Sequence, residues 1–402
     1  MLIQHRMAFL SVLLLLIAAS DASAAAPHKL ANAELGDGWI SLFDSETLYG
    51  WRAASEVNWH VADGQIRADS GQLGLLCTTT QFADYQLWLD FRAAAGTNSG
   101  VFLRTSPRPK DAGDGCYELN IAPADNPFPT GSFVRQKKVA PTVAEDRWHT
   151  YEVTADGGQF SVMLDGKKVL EYTDPKPLGR GFIGLQFNTG AIAFRNIRLR
   201  PLRLNNLLNG RDLSGWKTDQ ARESEFSVTA DGALRVQNGK GQIESKATYG
   251  DFVLQLECLV NGRELNSGVF FRSIPGEFWM GYESQIHNGT VRSSTVHNST
   301  GGSDPNLPSN CGTGGIFRRQ DARRVMARDF EWFHKTIVAE GPHMAVWVNG
   351  RQVSDWTDHR EPHVNPRKGL RLDPGSIILQ GHDPSTDLLF RGLRVAEMSP
   401  RR

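Results

Sequence analysis

The sequence predicts an all-β protein made of two tandem jelly-roll β-sandwich domains. Three observations carry this prediction: a chain of 402 residues can bury two or three cores, its motifs occur twice in the same order, and its apolar residues follow the period of strands. Lys plus Arg and Asp plus Glu both number 44, so the formal net charge is zero. Without an excess of positive charge, nucleic acid is not expected as a partner.

The N-terminus has the pattern of a secretory signal peptide over residues 1–24. A weakly basic head at His5 and Arg6 precedes an apolar run and the small-residue cleavage site Ala22-Ser23-Ala24. The apolar run is shorter than the roughly 20 residues that a bilayer-spanning helix requires. We therefore expect an exported protein, periplasmic or extracellular, that does not span the membrane.

An internal repeat sets the domain organisation. Each copy is far longer than a solenoid repeat and carries its own apolar segments, which predicts separate domains at residues 36–202 and 203–398. Little linker lies between them, so the domains are expected to touch. The corresponding segments are Gly50-Trp51 and Gly215-Trp216, Asn98–Arg104 and Asn266–Arg272, Tyr117-Glu118 and Tyr282-Glu283, and Phe194–Leu199 and Phe390–Val395.

Within each copy the residue pattern is that of strands joined by tight turns. Gln86–Phe91, Phe160–Leu164 and Met344–Val348 combine β-branched and aromatic residues in period-two or short apolar runs. Asp165-Gly166 and Asn349-Gly350 predict hairpin turns, because both central residues of such turns need positive φ. No long stretch has helical periodicity, so two antiparallel sheets packed face to face are expected.

These motifs resemble the 3-keto-disaccharide hydrolase domain family, formerly a domain of unknown function, which has a concanavalin/laminin-G-like fold. The resemblance covers nearly the whole mature chain in two copies, and the second copy matches more closely. It implies a glycoside hydrolase or lyase that acts on 3-keto-disaccharides. The motifs that carry it are Leu208–Trp216, Tyr249–Phe252, Asn266–Arg272, Gly281–Ile286, Glu331-Trp332, Val348–Gly350 and Phe390–Val395.

The segment Gly281–His287 holds the main candidate site. If it is a strand, Glu283, Gln285 and His287 point to one face and form a row of acid, amide and imidazole. By analogy with the fold of the family, this row would face a carbohydrate ligand. A solvated outer sheet face would show the same alternation.

Three further residues of the second copy are candidates near this row. Arg272 presents a planar fork of donors that could polarise a keto group, although an ion pair within the sheet would use the same residue. Asn266 either binds substrate or shapes the preceding turn. Trp279 could stack on a sugar ring, whereas Trp332 and Trp347 behave in the sequence as core residues.

The first copy keeps part of the candidate site. Glu118, Asn120 and Arg104 retain the acid, an amide and the guanidinium, and they are candidate substrate-binding residues. Ala122 stands where the second copy has His287. If the histidine is catalytic, the first domain is a binding or structural partner of the second.

No cofactor is predicted firmly, and a divalent metal such as calcium is left open. The Gly/Ser/Asn-rich loop at 290–315 contains His297 and Asp304, but their spacing matches no regular ligand pattern. His382 and Asp383, near the last strands, are weaker candidates.

The cysteines leave two alternatives open. The chain is predicted to enter an oxidising compartment, where one bridge could form within each half. Buried free thiols are the alternative. The four residues are Cys77, Cys116, Cys258 and Cys311.

The resemblance suggests a mechanism that needs one base. A carbonyl at C3 acidifies the C2 proton, the resulting enolate expels the group at C1, and water adds to the enone. His287 or Glu283 would be the base, with Arg272 or a metal stabilising the enolate oxygen. The alternative is a non-catalytic carbohydrate-binding protein, favoured because no second acid is partnered with Glu283 as in ordinary glycosidases.

Overall fold

The computed structural model describes residues 29–141, 143–218, 222–291 and 306–400. The predicted signal peptide, His297 and Asp304 therefore lie outside the described residues. The structure confirms the predicted fold class, because four antiparallel sheets form two sandwich-like domains. In the described part of the chain, no helix is long and apolar enough to cross a membrane.

The first domain pairs an eight-stranded sheet with a five-stranded sheet, here called the large and the small sheet. The large sheet has the order β11-β10-β9-β6-β13-β4-β3 with β1 paired to β13, and the small sheet has the order β2-β5-β12-β7-β8. The elements are α1 (Asn32–Gly36), β1 (Ile40–Ser41), β2 (Trp51–Ala53), β3 (His60–Ala62), β4 (Gln65–Ala68), β5 (Gly74–Thr78), β6 (Tyr85–Ala93), β7 (Asn98–Thr105), β8 (Tyr117–Ile121), β9 (His149–Asp156), β10 (Gln159–Leu164), β11 (Lys167–Thr173), β12 (Phe182–Thr189) and β13 (Ile192–Pro201).

The second domain repeats this topology strand for strand. Its large sheet has the order β16-β17-β26-β19-β22-β23-β24 with β14 paired to β26, and its small sheet has the order β15-β18-β25-β20-β21. The strands are β14 (Asn205–Asn206), β15 (Trp216–Thr218), β16 (Glu225–Val228), β17 (Leu234–Gln237), β18 (Gly241–Tyr249), β19 (Phe252–Val260), β20 (Ser267–Ser273), β21 (Tyr282–Ile286), β22 (Trp332–Glu340), β23 (His343–Val348), β24 (Arg351–Thr357), β25 (Gly375–Gly381) and β26 (Asp387–Glu397).

The alternation of burial along the strands explains the sandwich. In β9, Tyr151, Val153 and Ala155 are buried while the residues between them are only partly covered. A strand with this pattern contributes one face to a core and the other to the surface. In β23 all six residues are buried, so both of its faces are covered.

The first domain covers the outer face of β22 and β23. Val338, Ala345 and Trp347 belong to the same hydrophobic cluster as the core of the first domain. The Trp347 indole N–H donates to the Ser41 carbonyl at 3.0 Å, and its ring lies 6.3 Å from that of Phe82. The expected domain contact is present, and the predicted burial of Trp347 is confirmed on the side that faces the other domain.

The expectation that Trp332 lies in the core is wrong. Its ring is half-buried, and the guanidinium carbon of Arg391 lies 4.0 Å from the ring centroid. Arg195 covers Trp148 of the first domain at the same distance. The repeat preserves a cation–π contact at this position rather than a core residue.

All four cysteines are free thiols. Cys77, Cys116 and Cys258 are buried, and Cys311 is partly covered. Burial raises the pKa of the Cys77 and Cys311 thiols to about 12, so neither is reactive at neutral pH. The structure thus shows buried thiols rather than a bridge within each half.

Candidate functional site

The outer face of the second domain's small sheet carries the candidate site. Intervening residues such as Ile243, Val269 and Leu379 point the opposite way, into the hydrophobic core. Strand alternation therefore directs a polar set outward across four neighbouring strands. We call this outer face the site face; it carries the polar residues Gln242, Glu244, Glu283, Gln285 and Gln380, together with Gly268, Phe270 and Ile378.

Glu283 is the ionisable centre of the site face. It is 6% exposed and lies across Gly268, where an added Cβ would come within 2.6 Å of its Oε1. The Arg367 guanidinium approaches Oε2 at 3.4 Å. Burial raises the pKa of Glu283 to about 7, against the opposing charges of Arg367 and Lys335. A carboxyl with this pKa can accept and return a proton near neutral pH.

A chain of polar side chains leads from Gln285 to a His–Asp pair. The Gln285 amide donates to Asn266 Oδ1 at 2.8 Å, and Asn266 Nδ2 lies 3.0 Å from His382 Nε2. His382 Nδ1 lies 3.2 Å from Asp383 Oδ2. Because Asn266 donates to Nε2, the network favours the tautomer with the proton on Nδ1 and a basic Nε2. The structure thus gives His382 and Asp383 a more central place than the sequence did.

Trp279 lies against Phe270 and His382, and its stacking on a sugar ring stays a prediction. Its ring is parallel to that of His382, with centroids 5.7 Å apart, and stacks against Phe270 at 6.4 Å. Its backbone N–H donates to Gln242 Oε1 at 2.9 Å, and Glu244 accepts the backbone N–H of Gly276 at 3.1 Å. The two polar residues of β18 therefore fix the loop that presents the indole.

Arg367 supplies the positive charge of the site and was missed in the sequence. It comes from the loop between β24 and β25, and its Nε and Nη2 donate to the Trp279 carbonyl at 3.2 and 3.1 Å. Its guanidinium carbon lies 5.4 Å from the ring centroid of Phe270 and 5.7 Å from that of Phe317. These contacts hold a cation beside Glu283.

The structure does not support a catalytic role for Arg272. Its φ of +46° interrupts the strand alternation, and its side chain is fully buried. Its guanidinium donates to the carbonyls of Gly250 at 2.9 Å and Gly341 at 2.6 Å, and to Asp251 at 2.7 Å. Arg104 forms the equivalent bonds in the first domain, so its predicted substrate contact is also wrong. Both arginines fasten loops within their own domain.

His287 lies just beyond the end of β21 and outside the hydrogen-bonded cluster. Its backbone N–H donates to Thr313 Oγ1 at 2.9 Å, and its Nδ1 accepts the Gly289 N–H at 3.3 Å. Burial lowers its pKa, so the imidazole is neutral at neutral pH. Within the described part of the chain, no hydrogen bond joins it to Glu283 or Gln285, and its place in the predicted row stays a prediction.

The first domain repeats the carboxyl of the site face together with two amides, Asn120 and Gln186, whose side-chain oxygens lack a hydrogen-bond partner among the described residues. Glu118 is 6% exposed, lies against Gly100, and has a pKa raised by burial to about 7. Asn120 donates to the carbonyl of Phe128 in its own loop. Leu75 and Cys77 occupy the strand positions that hold a glutamine and a glutamate in the second domain.

Two buried acceptors on the site face are unused. Oε1 of Gln285 and Oε1 of Gln380 have no hydrogen-bond partner among the described residues, and the two side chains are 1% and 2% exposed. A buried acceptor without a partner costs free energy that a bound hydroxyl group would recover.

No metal-binding arrangement is found among the described residues. No group of three His, Cys, Asp or Glu side chains there could hold a metal ion. Most of the loop at 290–315 lies outside these residues. A calcium site in that loop therefore stays a prediction.

Comparison with known proteins decides the family. A family model described as the 3-keto-alpha-glucoside-1,2-lyase-like domain matches residues 38–200 and 204–396. The chain belongs to this family. The resemblance predicted from the motifs is confirmed, and the chain carries two copies of a glycoside hydrolase-like domain.

Individual proteins are similar to parts of this chain. The 3-keto-disaccharide hydrolase of Bacteroides thetaiotaomicron is 24% identical over 229 residues, which covers 41% of this chain and 79% of that protein. A candidate glycosyl hydrolase of Parabacteroides distasonis is 26% identical, with a TM-score of 0.35, and covers 41% of this chain and 99% of its own. The carbohydrate-binding module CBM66 of Bacillus subtilis is 18% identical, with a TM-score of 0.32, and covers 38% and 94%.

Proposed function

We propose that the second domain cleaves 3-keto-glycosides by removing the C2 proton and eliminating the group at C1. The observation that carries this proposal is the buried Glu283 carboxyl, whose pKa is raised to about 7 beside a guanidinium. Enzymes tune carboxyl groups to this range when the same group must take and give a proton.

The proposed reaction needs no oxidant or reductant. A base takes the proton from C2, and the electron pair of the C–H bond forms an enolate with the C3 carbonyl. Collapse of the enolate restores that carbonyl, forms a C1–C2 double bond and breaks the bond from C1 to the leaving oxygen, which takes a proton. Water then adds its hydroxyl to C1 and its proton to C2, and a free 3-keto sugar is released.

The site face offers a group for each step. Glu283 in its ionised form would take the C2 proton and, once protonated, would pass it to the leaving oxygen. Arg367, rather than Arg272, would stabilise the enolate oxygen, since its guanidinium lies 3.4 Å from Glu283. Glu283, ionised again once it has protonated the leaving oxygen, would take a proton from the water and pass it to C2 in the second half of the reaction.

Substrate binding would use the remaining groups. The free Oε1 atoms of Gln285 and Gln380 would accept sugar hydroxyls. The indole of Trp279 would pack against the apolar face of a sugar ring. These contacts would orient the C2–H bond toward the carboxyl.

The test compares Glu283→Gln with the matched variant Glu118→Gln. Each mature variant is incubated with a 3-keto-disaccharide and with its unoxidised parent, and release of the reducing sugar is followed. Loss of a general acid–base group costs about 10²- to 10⁴-fold in rate, so we expect at least a hundredfold loss for Glu283→Gln and the wild-type rate for Glu118→Gln. A folded Glu283→Gln protein with the wild-type rate would refute the assignment.

We propose a non-catalytic role for the first domain. Its carboxyl is retained, but Leu75 and Cys77 make the neighbouring strand apolar, and Arg104 is committed to carbonyl groups of its own domain. If Glu118→Gln instead lowered turnover as far as Glu283→Gln, this role would be excluded.

A further inference from the structure

A cavity lies between the two domains. Its volume is about 760 Å³, and none of its lining residues belongs to the site face. The first domain contributes β2, the end of β5 and the loop after β7, and the second domain contributes the turn between β22 and β23. The volume falls within the range of roughly 300–1,000 Å³ typical of small-molecule sites.

The wall from the second domain is held rigidly. Asp251 accepts hydrogen bonds from Arg272 at 2.7 Å and from the Gly341 N–H at 2.9 Å, and it pairs with Arg180 of the first domain at 2.6 Å. The neighbouring Glu340 carboxyl accepts the backbone N–H of Gln81 at 3.0 Å. The turn is thus fastened to both domains, and the cavity is preformed, which reduces the entropy lost when a ligand binds.

The lining combines an apolar surface with a positive rim. Phe182, Pro107 and Pro342 supply the apolar part. Arg52 and Arg108 are exposed, and within the described ranges neither forms an ion pair with a carboxylate. Arg108 donates one bond, from Nε to the Ala54 carbonyl at 3.1 Å, which leaves its terminal nitrogens available.

Arg180 adds a donor deeper in the cavity. Its side chain is 15% exposed, and its Nε has no hydrogen-bond partner among the described residues. The nearest carboxylate oxygen to that Nε belongs to Glu340 and lies 3.7 Å away, beyond hydrogen-bond distance. A buried donor without a partner is satisfied when a ligand supplies an acceptor.

We propose that this cavity binds an acidic sugar, namely an oligosaccharide unit that carries a carboxylate. Arg52 and Arg108 would hold the carboxylate, because a guanidinium binds a carboxylate through two parallel hydrogen bonds. The ring of Phe182 would contact the apolar face of the sugar. Arg180 Nε would donate to a ring or hydroxyl oxygen. The acidic glycan would thereby be held on the protein without occupying the site face.

The test is isothermal titration calorimetry of the full mature chain with digalacturonate and with the neutral disaccharide galactobiose. We expect saturable binding of digalacturonate, at least tenfold weaker binding of galactobiose, and at least a tenfold loss of digalacturonate affinity in the double variant Arg52→Met, Arg108→Met. Glu283→Gln should bind digalacturonate like the wild type. Both arginines are exposed, so an unchanged Tm is expected and confirms that the double variant is folded.

Several outcomes would overturn the proposal. Equal affinity for the two disaccharides, no saturable binding, or wild-type affinity in the double variant would each exclude a carboxylate site at the rim. Loss of binding in Glu283→Gln alone would place the ligand on the site face. Inorganic phosphate that competes at the same concentration as digalacturonate would show a general anion site without recognition of sugar.

Discussion

The raised pKa of Glu283 predicts a specific dependence of stability on pH. In the unfolded chain this carboxyl has the ordinary value of 4.5, whereas burial raises its pKa to about 7 in the folded protein. Between these values the folded state binds more protons than the unfolded state. The stabilising contribution is therefore fully present below pH 4.5 and is lost as the pH rises through 7.

The magnitude follows from the two pKa values. Each pH unit corresponds to about 1.4 kcal/mol, so a rise from 4.5 to about 7 corresponds to a loss of about 3 kcal/mol across this window. The Glu283→Gln variant cannot ionise and lacks this loss. Relative to the wild type, it should gain about 3 kcal/mol in free energy of unfolding between pH 4.5 and pH 8.

Urea denaturation monitored by tryptophan fluorescence at pH 4.5, 6 and 8 measures this difference. Glu118→Gln is the matched control, because burial raises the pKa of Glu118 to the same value. Both variants should show the same relative gain in stability, while only Glu283→Gln loses activity. Parallel pH dependences in Glu283→Gln and the wild type would refute the raised pKa and, with it, the proposed acid–base role.

Three further substitutions test the surroundings of the carboxyl. Lys335→Tyr introduces the residue that the first domain has at this position, Tyr151, and removes a buried charge that lowers the pKa of Glu283. The acidic limb of the pH–rate profile should therefore move to higher pH, and an unmoved limb would show that Lys335 does not influence Glu283. Gly268→Ala places a Cβ 2.6 Å from Oε1 of Glu283 and should lower kcat about tenfold with little change in Tm. A wild-type kcat would show that the carboxylate can shift without loss of activity. Arg272→Met removes the donor to the Gly250 and Gly341 carbonyls, while Asp251 keeps Arg180 and the Gly341 N–H. It should lower the free energy of unfolding by about 2 kcal/mol or more in urea denaturation, whereas a wild-type value would count against a structural role.

The fold could be predicted because its signals are local. Strand alternation, turn residues and the order of the repeated motifs are all readable along the chain, and the same alternation places Glu283 and Gln285 on one face. Alternation failed for Arg272 because a positive φ at a residue other than glycine interrupts the period, and no sequence rule marks that position. For His287 alternation gives no answer, because the strand ends at Ile286.

The rest of the site comes from distant segments. Arg367 and His382 lie far beyond Glu283 in the chain. The sheet topology brings Arg367 to Glu283 and His382 to Asn266. Comparison of the two copies offers a signal that could have found Arg367, because the loop before the central strand of the small sheet spans residues 358–374 before β25 in the second domain and only 174–181 before β12 in the first. The longer loop carries the guanidinium.

The two domains together show which features of the site matter. Both keep a buried glutamate against a glycine, and both glutamates have a pKa near 7. A raised carboxyl pKa and the same strand topology therefore cannot distinguish a catalytic domain from a supporting one. In the first domain, Glu118 forms a hydrogen bond with the side chain of Gln186. In the second domain, Arg367 and Lys335 place positive charge around Glu283.

This difference in charge explains how duplication could separate the roles of the domains. In the proposed reaction the enolate would gain a full negative charge as the C2 proton leaves. Among the described residues, Glu283 has a guanidinium beside it, whereas Glu118 forms no ion pair. The first domain instead buries Trp347 on the outer face of the second domain's large sheet. Leu75 and Cys77 stand where the second domain has polar residues. Neither belongs to the hydrophobic cluster at the interface, so apolar residues at these positions leave the contact between the domains unchanged.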